Sequence, residues 1–254
     1  MEALRVNNLY KNFGGVQAAH NISFSVAAGE RLAIIGPNGA GKTTLFNLLN
    51  GQLSPSAGQV LFFGKDITHK TVFQRTHLGL ARSFQITNLF LELTVLKNVL
   101  LALHGVERSR FQVFRPITFY DQHLDKAKDL LDLIDLWNKK DDRVQSISYG
   151  EQRKLEIALC LASKPKLILM DEPSNGLTNV ESAEIACRIR DLGREVTVIL
   201  VAHDMDLVFE VAERILVLHN GRIIAQGMPQ EIQSDPRVRE IYMGSNDMIV
   251  ECLN

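Results

Sequence analysis

The sequence predicts an α/β fold with an inserted helical lobe, on three observations. Two apolar segments, Leu167 to Met170 and Val196 to Ala202, are typical of strands buried on both faces of a parallel sheet. A glycine-rich loop at residues 36–43 follows the apolar strand Arg31 to Ile35 and precedes a predicted helix. Between residues 87 and 160 the strand pattern fades, and apolar residues recur at helical spacing.

Local signals place the elements around the glycine-rich loop. Ile22, Phe24 and Val26 alternate as one face of a strand that precedes the loop. The helix after the loop is predicted from Lys42 to Asn50, because Gly51 supplies a stop signal.

The helical pattern and a late hairpin complete the expected organisation. The apolar positions at helical spacing are Leu96, Val99, Leu100 and Leu103, then Leu124, Ala127, Leu131 and Ile134. Near the end, Ile215 to Leu218 and Ile223 to Ala225 flank an Asn-Gly turn that favours an antiparallel hairpin. We therefore expect one domain over residues 1–254, with an α/β core and antiparallel β part at 1–86 and 161–254, and a helical subdomain at 87–160.

Composition excludes several other classes of protein. The 254 residues carry 28 Lys and Arg against 29 Asp and Glu, a balance that predicts no global attraction to nucleic acid or anionic lipid. The cysteines, Cys160, Cys187 and Cys252, form no CxxC pair, so neither a zinc knuckle nor a disulfide scaffold is indicated. The start of the chain lacks a secretory signal, and no apolar stretch is long enough to span a bilayer. A membrane role would need spanning helices from a partner.

The glycine-rich loop has the GxxxxGK[ST] pattern of a phosphate loop. It is made of Gly36, Pro37, Asn38, Gly39, Ala40, Gly41, Lys42 and Thr43. Its glycines let backbone N–H groups close around phosphates, and the helix start adds a positive dipole end. Lys42 is placed to reach the outer phosphates, and Thr43 offers an oxygen to Mg²⁺. The sequence therefore predicts a P-loop nucleoside triphosphatase core.

A pair of carboxylates follows a later strand and supplies the second half of such a site. Asp171 and Glu172 come directly after Leu167 to Met170. Asp171 is expected to hold the metal shell and Glu172 to polarise the attacking water. Without the phosphate loop, a helix cap or turn would be the simpler interpretation of this pair.

The segment Ile147-Ser-Tyr-Gly-Glu-Gln-Arg153 indicates which class of nucleoside triphosphatase this is. It resembles the LSGGQ signature of the ATP-binding subunits of ABC transporters, with Ile and Tyr at the first and third positions. Ser148 and the Gly150 N–H precede a helix predicted over Glu151 to Ala162, which makes a second anion site. In that family the signature covers the γ-phosphate held by the opposite subunit. Taken alone, Ser148 would be an ordinary helix N-cap with a capping box.

The resemblance implies roles for three further residues. Gln85 matches the glutamine loop, whose amide contacts metal or water, and His203 matches the switch histidine that contacts the γ-phosphate. Phe13 occupies the aromatic position on which adenine stacks. The catalytic candidates are thus Glu172, His203, Gln85 and Lys42, and the metal-holding candidates are Thr43, Gln85 and Asp171. The ATP-binding candidates are Phe13, the loop from Gly36 to Thr43 with Thr44, and Ser148, Tyr149, Gly150 and Glu151.

Two features depart from this pattern. Residues 138–141 spell NKxD, the guanine-reading motif of GTPases, but they precede Asp171 and end an amphipathic helix, so a polar helix terminus is predicted. After the carboxylates, Thr178 stands where the family usually has aspartate. Residues 107–116, with arginines among aromatic residues, are either a partner surface or a solvated loop, and residues 247–254 match no known pattern.

The resemblance implies an ATP hydrolase that energises a membrane transporter. The expected cofactors are ATP and Mg²⁺, and the expected partners are a second ATP-binding subunit, identical or closely similar, and transmembrane permease subunits, with no nucleic acid. The expected location is the cytoplasmic face of the inner membrane, peripheral to the bilayer. The long spacer from Gly105 to Tyr120 and the segment Pro229-Gln-Glu-Ile232 most resemble those of importers of branched-chain amino acids or urea. A lipopolysaccharide-export ATPase and a soluble ATPase acting on DNA or ribosomes remain alternatives.

Overall fold

A six-stranded sheet forms the centre of the molecule in the computed structural model, which describes residues 1–83, 89–106 and 121–244. Its strands are ordered β10-β9-β3-β8-β7-β6, and the pairs from β9 to β6 are all parallel. The bounds are β3 Arg31–Ile35, β6 Leu80–Arg82, β7 Leu167–Asp171, β8 Thr197–Val201, β9 Arg214–His219 and β10 Arg222–Gly227.

The central strands are apolar because both faces of this sheet are covered. Every residue of β3, β7 and β8 is buried. The prediction of buried parallel strands is confirmed, although β7 extends to Asp171 and β8 is one residue shorter at each end than predicted. The predicted hairpin is also confirmed as β9 and β10, since Asn220 and Gly221 both have positive φ, 48° and 72°.

Helices cover the sheet, and the first of them begins at the glycine-rich loop. Helix α1 spans Lys42–Asn50 as predicted, and its C-cap Gly51 adopts φ 86°, a left-handed conformation that favours glycine. The other described helices outside the middle region are α2 Val72–Leu78, α6 Asn179–Asp191, α7 Met205–Val211, α8 Pro229–Ser234 and α9 Pro236–Gly244. Nowhere in the described ranges is a helix both long and apolar enough to cross a bilayer.

A second, antiparallel sheet packs against α1. Its strands are ordered β2-β1-β4-β5, with bounds β1 Glu2–Phe13, β2 Val16–Ala27, β4 Ala57–Phe62 and β5 Lys65–Asp66. Ile22, Phe24 and Val26 are buried on one face of β2, as the alternation predicted. Sequence analysis did not predict β1, because register shifts, one of them between Val6 and Leu9, break the alternation of inward and outward residues.

Helices also dominate the middle of the chain. They are α3 Val95–Val106, α4 Asp121–Leu133 and α5 Tyr149–Ala162, with one-turn 3₁₀ helices at Trp137–Lys139 and Val144–Ser146 between α4 and α5. One hydrophobic cluster unites members of all three α-helices. Helix α5 begins two residues before the predicted Glu151, because Ser148 is its N-cap, and it ends at Ala162 as predicted.

The structure corrects the interpretation of the NKxD tetrapeptide. Helix α4 ends at Leu133, so residues 138–141 do not form its terminus. They lie instead in and after the separate 3₁₀ turn Trp137–Lys139, and Lys139 Nζ lies 2.6 Å from Glu151 Oε1. The tetrapeptide therefore supports the start of α5 through an ion pair.

Candidate functional site

Three neighbouring parallel strands bring three of the predicted catalytic residues, Lys42, Glu172 and His203, to one edge of the central sheet. Strand β8 lies between β3 and β7, and all three run in the same direction. The phosphate loop follows β3, Glu172 follows β7, and His203 lies just beyond β8. This carboxyl edge is where open parallel sheets bind ligands.

The phosphate loop needs glycine at positions where other backbone comes very close. A Cβ on Gly36 would lie 2.2 Å from the carbonyl oxygen of Leu218, and one on Gly41 would lie 2.5 Å from that of Ala18. Gly41 also adopts φ 100°, which strains any residue with a side chain. These contacts fix the loop against β2 and β9.

Lys42 is the first residue of α1, and its side chain is buried. Its Nζ donates to the carbonyl oxygens of Gly36 at 2.5 Å and Pro37 at 3.0 Å. The ammonium group thus lies across the mouth of the loop, beside the backbone that the motif uses for phosphate.

A cleft of about 390 Å³ opens over the loop. It is lined by Asn38, Gly39, Ala40, Gly41, Lys42, Thr43, Thr44 and Glu172, together with Val16, Gln17, Ala18, Asn220 and Gly221. The last five were not predicted, since they reach the site through backbone contacts such as Gly221 N–H to the Ala40 carbonyl at 2.9 Å. Of these five, only Asn220 and Gly221 carry a sequence signal, an Asn-Gly pair, and it indicates only a turn.

Asp171 ends β7 and is 3% exposed. Its Oδ2 accepts a hydrogen bond from Arg82 Nη2 at 2.7 Å, and its backbone N–H lies 3.3 Å from Ser83 Oγ. Both contacts come from β6 and the residue that follows it. Sequence analysis missed Arg82, which carries no motif of its own.

Glu172 has a strained backbone and faces the predicted histidine. Its φ is 49°, in the left-handed region, and its N–H donates to the Val201 carbonyl at 2.8 Å. Its Oε1 lies 3.3 Å from His203 Nδ1, while its Oε2 accepts from Asn175 Nδ2 at 3.4 Å. The His203 side chain is 62% exposed and that of Glu172 only 20%. The two side chains therefore meet at the rim of the cleft.

The signature segment forms the N-terminus of α5. Ser148 accepts from the Glu151 N–H, and the Glu151 side chain accepts from the Ser148 N–H, so the capping box is present. Tyr149 is 44% exposed, and its hydroxyl accepts from Arg153 Nη2 at 2.6 Å. The signature residues 148–151 are not among those that line the cleft over the phosphate loop.

A carboxylate from α6 meets the start of the signature helix. A Cβ on Gly150 would collide with Glu181 Oε1, so a larger residue there would have to displace that side chain. Hydrogen bonds from the Thr178 N–H and hydroxyl, and one from the Gly150 N–H, hold the pKa of Glu181 below its ordinary value. Thr178, at the position where aspartate was expected, is the N-cap of α6 and forms a capping box with Glu181.

Two remaining groups of predicted residues have different outcomes. Phe13 ends β1 and is 47% exposed, and Lys11 Nζ lies 5.1 Å from its ring centroid. Gln85, residues 107–116 and residues 247–254 lie outside the described ranges.

The sequence is similar to those of known protein families and of individual characterised proteins. Residues 19–175 match the protein family described as ABC transporter, and residues 222–247 match the family described as branched-chain amino acid ATP-binding cassette transporter. The high-affinity branched-chain amino acid transport ATP-binding protein LivG of Escherichia coli K12 is 35% identical over 248 residues, covering 95% of this chain and 97% of LivG. The probable LivG of Archaeoglobus fulgidus is 34% identical and covers 99% of both chains.

Solved structures agree with the sequence matches. The ADP conformation of MJ1267, an ATP-binding cassette of an ABC transporter, has a TM-score of 0.85 at 34% identity, covering 96% of this chain and 99% of that one. The post-hydrolysis dimer of the cassette MJ0796, bound to ADP and phosphate, has a TM-score of 0.72 at 26% identity, covering 89% of this chain and 98% of that one.

Proposed function

Because the chain belongs to the ABC transporter family, as an ATP-binding subunit, we propose that it hydrolyses ATP to drive import of branched-chain amino acids or related small solutes through separate transmembrane subunits. The observation that carries this proposal is the meeting of the phosphate loop, Asp171, Glu172 and His203 at one edge of the central sheet.

The phosphate loop binds and orients the nucleotide. Its backbone N–H groups and the N-terminal end of α1 face the cleft, and Lys42 adds a positive charge beside them. The exposed ring of Phe13 offers a surface for stacking the base. A ring without a base-reading hydrogen bond favours only modest discrimination between ATP and GTP.

Glu172 is the proposed general base. A water that attacks the γ-phosphate loses a proton, and the Glu172 carboxylate is the acceptor on the cleft wall. His203 Nδ1, 3.3 Å from Glu172 Oε1, and Asn175 restrict how that carboxylate turns. We assign His203 the further task of contacting the γ-phosphate, which its exposed position permits.

The donor set beside the cleft fits Mg²⁺. Thr43 supplies a hydroxyl and Asp171 a carboxylate, both hard oxygen ligands. No group of three or more His, Cys, Asp or Glu side chains that could hold a metal occurs in the described parts of the chain, which fits an ion that arrives with nucleotide phosphates and water. When bound, the ion neutralises charge on the phosphates. Gln85 is proposed as a further contact.

The signature residues serve a second copy of the subunit, or a closely similar one. The start of α5 carries Ser148 and backbone N–H groups suited to an anion, but this surface lies outside the chain's own cleft. A head-to-tail dimer places it over the nucleotide of the opposite chain. The helical subdomain that carries the signature is proposed to span residues 87–160, between the two core segments 1–86 and 161–254.

The permease is proposed to dock at an apolar groove between α2, β6 and α5. The groove has a volume of about 310 Å³ and is lined in part by Val72, Ala81, Leu89 and Leu159. Phe73 and Phe90, neighbours of two lining residues, are 61% and 60% exposed. An apolar surface of this kind suits a helical segment of a membrane subunit. Docking there places the protein at the cytoplasmic face of the inner membrane.

Uptake by a reconstituted transporter tests the proposal. The chain is co-expressed with the permease and solute-binding proteins of a branched-chain amino acid importer, and membrane vesicles are assayed for ATP-dependent uptake of labelled leucine. The proposal predicts co-purification with the permease and uptake that the Glu172→Gln variant abolishes. Enrichment with ribosomes or DNA, or uptake that is independent of this chain, would reject it.

A further inference from the structure

Arg82 is a buried cation that the predicted mechanism does not use. It is the last residue of β6, and its side chain is 9% exposed. Its guanidinium reaches three acceptors: Asn47 Oδ1 at 2.6 Å, Gln52 Oε1 at 2.7 Å and Asp171 Oδ2 at 2.7 Å. The rigid fork of arginine allows such simultaneous contacts, which a lysine cannot reproduce.

These contacts join the two halves of the metal-holding set. Asn47 follows Thr43 by four residues in α1, so both lie on the same side of that helix. Asp171 ends β7, the strand next to β6. Arg82 therefore bridges the helix that carries the hydroxyl ligand and the strand that carries the carboxylate ligand.

The contact with Arg82 also determines which oxygen of Asp171 already accepts a hydrogen bond. Arg82 takes Oδ2, and within the described ranges Oδ1 accepts no hydrogen bond. A carboxylate this buried is costly without a counter-charge, and an unpaired one would be free to turn. The guanidinium supplies both the charge and the orientation.

We propose that Arg82 is a positioning residue for the Mg²⁺ site: it fixes the orientation of the Asp171 carboxylate by binding Oδ2, leaves Oδ1 available to an ion that would be held there, and fixes the spacing between Asp171 and the helix of Thr43. This inference rests on the proposed function. Partners that orient metal ligands matter nearly as much as the ligands themselves.

Metal dependence of nucleotide binding separates this role from a general structural one. Binding of a fluorescent ATP analogue is titrated in EDTA and then against Mg²⁺, for the wild type and for Arg82→Met, Arg82→Lys and the control Gln52→Ala. Manganese binding to the ADP complex is followed by electron paramagnetic resonance. Circular dichroism establishes that each variant is folded.

The expected result is weaker metal binding with no loss of metal-free nucleotide binding. Arg82→Met leaves the affinity for the ATP analogue in EDTA unchanged. It raises the Mg²⁺ concentration that gives half of the metal-dependent gain in analogue binding by about tenfold or more, and it weakens Mn²⁺ binding in parallel. Arg82→Lys falls between Arg82→Met and the wild type, because it keeps the charge and loses the fork. Gln52→Ala, which removes only the outer acceptor, behaves as the wild type.

Two results would overturn the inference. One is a folded Arg82→Met variant with the Mg²⁺ and Mn²⁺ dependence of the wild type. The other, should Arg82→Met not fold, is an Arg82→Lys variant whose metal dependence is unaltered. A wild type that binds no ATP analogue would instead reject the proposed function.

Discussion

At the scale of single residues, the proposed base has a strained backbone. Glu172 adopts φ 49°, a conformation that costs of order 1–3 kcal/mol for a residue other than glycine. Hydrogen bonds from its N–H to Val201 and from the Asn175 N–H to its carbonyl hold it there. The strain turns the residue out of the line of β7, so that the carboxylate reaches the cleft wall.

Substitution of this base tests its role. Glu172→Gln is expected to lower ATP turnover about a hundredfold or more, because the amide cannot accept the proton of the attacking water. Nucleotide affinity stays near that of the wild type, since the phosphate loop is unaltered. Steady-state phosphate release and equilibrium binding measure the two effects.

A distant glutamate provides the control. Glu195→Gln changes an exposed side chain at the opposite end of β8 from His203, and turnover should not change. Near-normal turnover of Glu172→Gln would exclude Glu172 as the base.

Substitution of two glycines of the phosphate loop distinguishes the effect of backbone strain from that of a steric clash. Gly39 and Gly41 both have positive φ, 79° and 100°, but only Gly41 lies against other backbone, since nothing lies within 4 Å of a Cβ on Gly39. Gly41→Ala is therefore expected to lower nucleotide affinity much more than Gly39→Ala, because its methyl group must displace the carbonyl of Ala18. Equal affinities in binding titrations would mean that the contact with β2 does not hold the loop in shape.

At the scale of elements, α1 shows what the sequence predicts well. Its start at Lys42 and its end at Asn50 were both predictable, because glycines mark both boundaries. The support of its C-terminal end was not predictable. Arg75, in α2, donates to the carbonyls of Leu48 and Leu49, and only the folded chain brings α2 to that position.

The buried guanidinium of Arg75 is predicted to stabilise the folded chain. It also bonds the carbonyls of Thr68 and Lys70, and desolvation lowers its pKa to about 10, where it still carries its charge at neutral pH. Arg75→Met is expected to lower the free energy of unfolding by about 3 kcal/mol, because it leaves helix-end carbonyls buried without donors.

Denaturant unfolding measures this loss. The control Arg239→Met removes an exposed arginine of α9 and should change stability by less than about 0.5 kcal/mol. Equal stability of the two variants would show that water satisfies those carbonyls.

Strand β1 shows where prediction from sequence fails. Regular alternation identifies a strand, and β2 was predicted from Ile22, Phe24 and Val26. In β1 the register shifts several times and Asn8 adopts φ 44°, so its apolar residues do not alternate. The same reasoning explains the site: motif residues of the phosphate loop could be named in advance, whereas Arg82 and Glu181 act through tertiary contacts that carry no local pattern.

At the scale of the whole molecule, we propose that one chain does not contain a complete catalytic centre. The cleft over the phosphate loop is lined by Glu172 but not by the signature residues at the start of α5. Twofold pairing of two chains would give each cleft a signature from its partner. Ser148→Arg should therefore abolish turnover while leaving the nucleotide affinity of the single chain unchanged.

Mixing two inactive variants tests this claim most directly. Ser148→Arg keeps an intact base, Glu172→Gln keeps an intact signature, and a dimer of one with the other contains one site in which both intact parts meet. Combined in equal amounts before ATP is added, they should recover about a quarter of wild-type turnover, since half of the dimers are mixed and each has one complete site. A mixture no more active than its separate components would contradict a site shared between two chains.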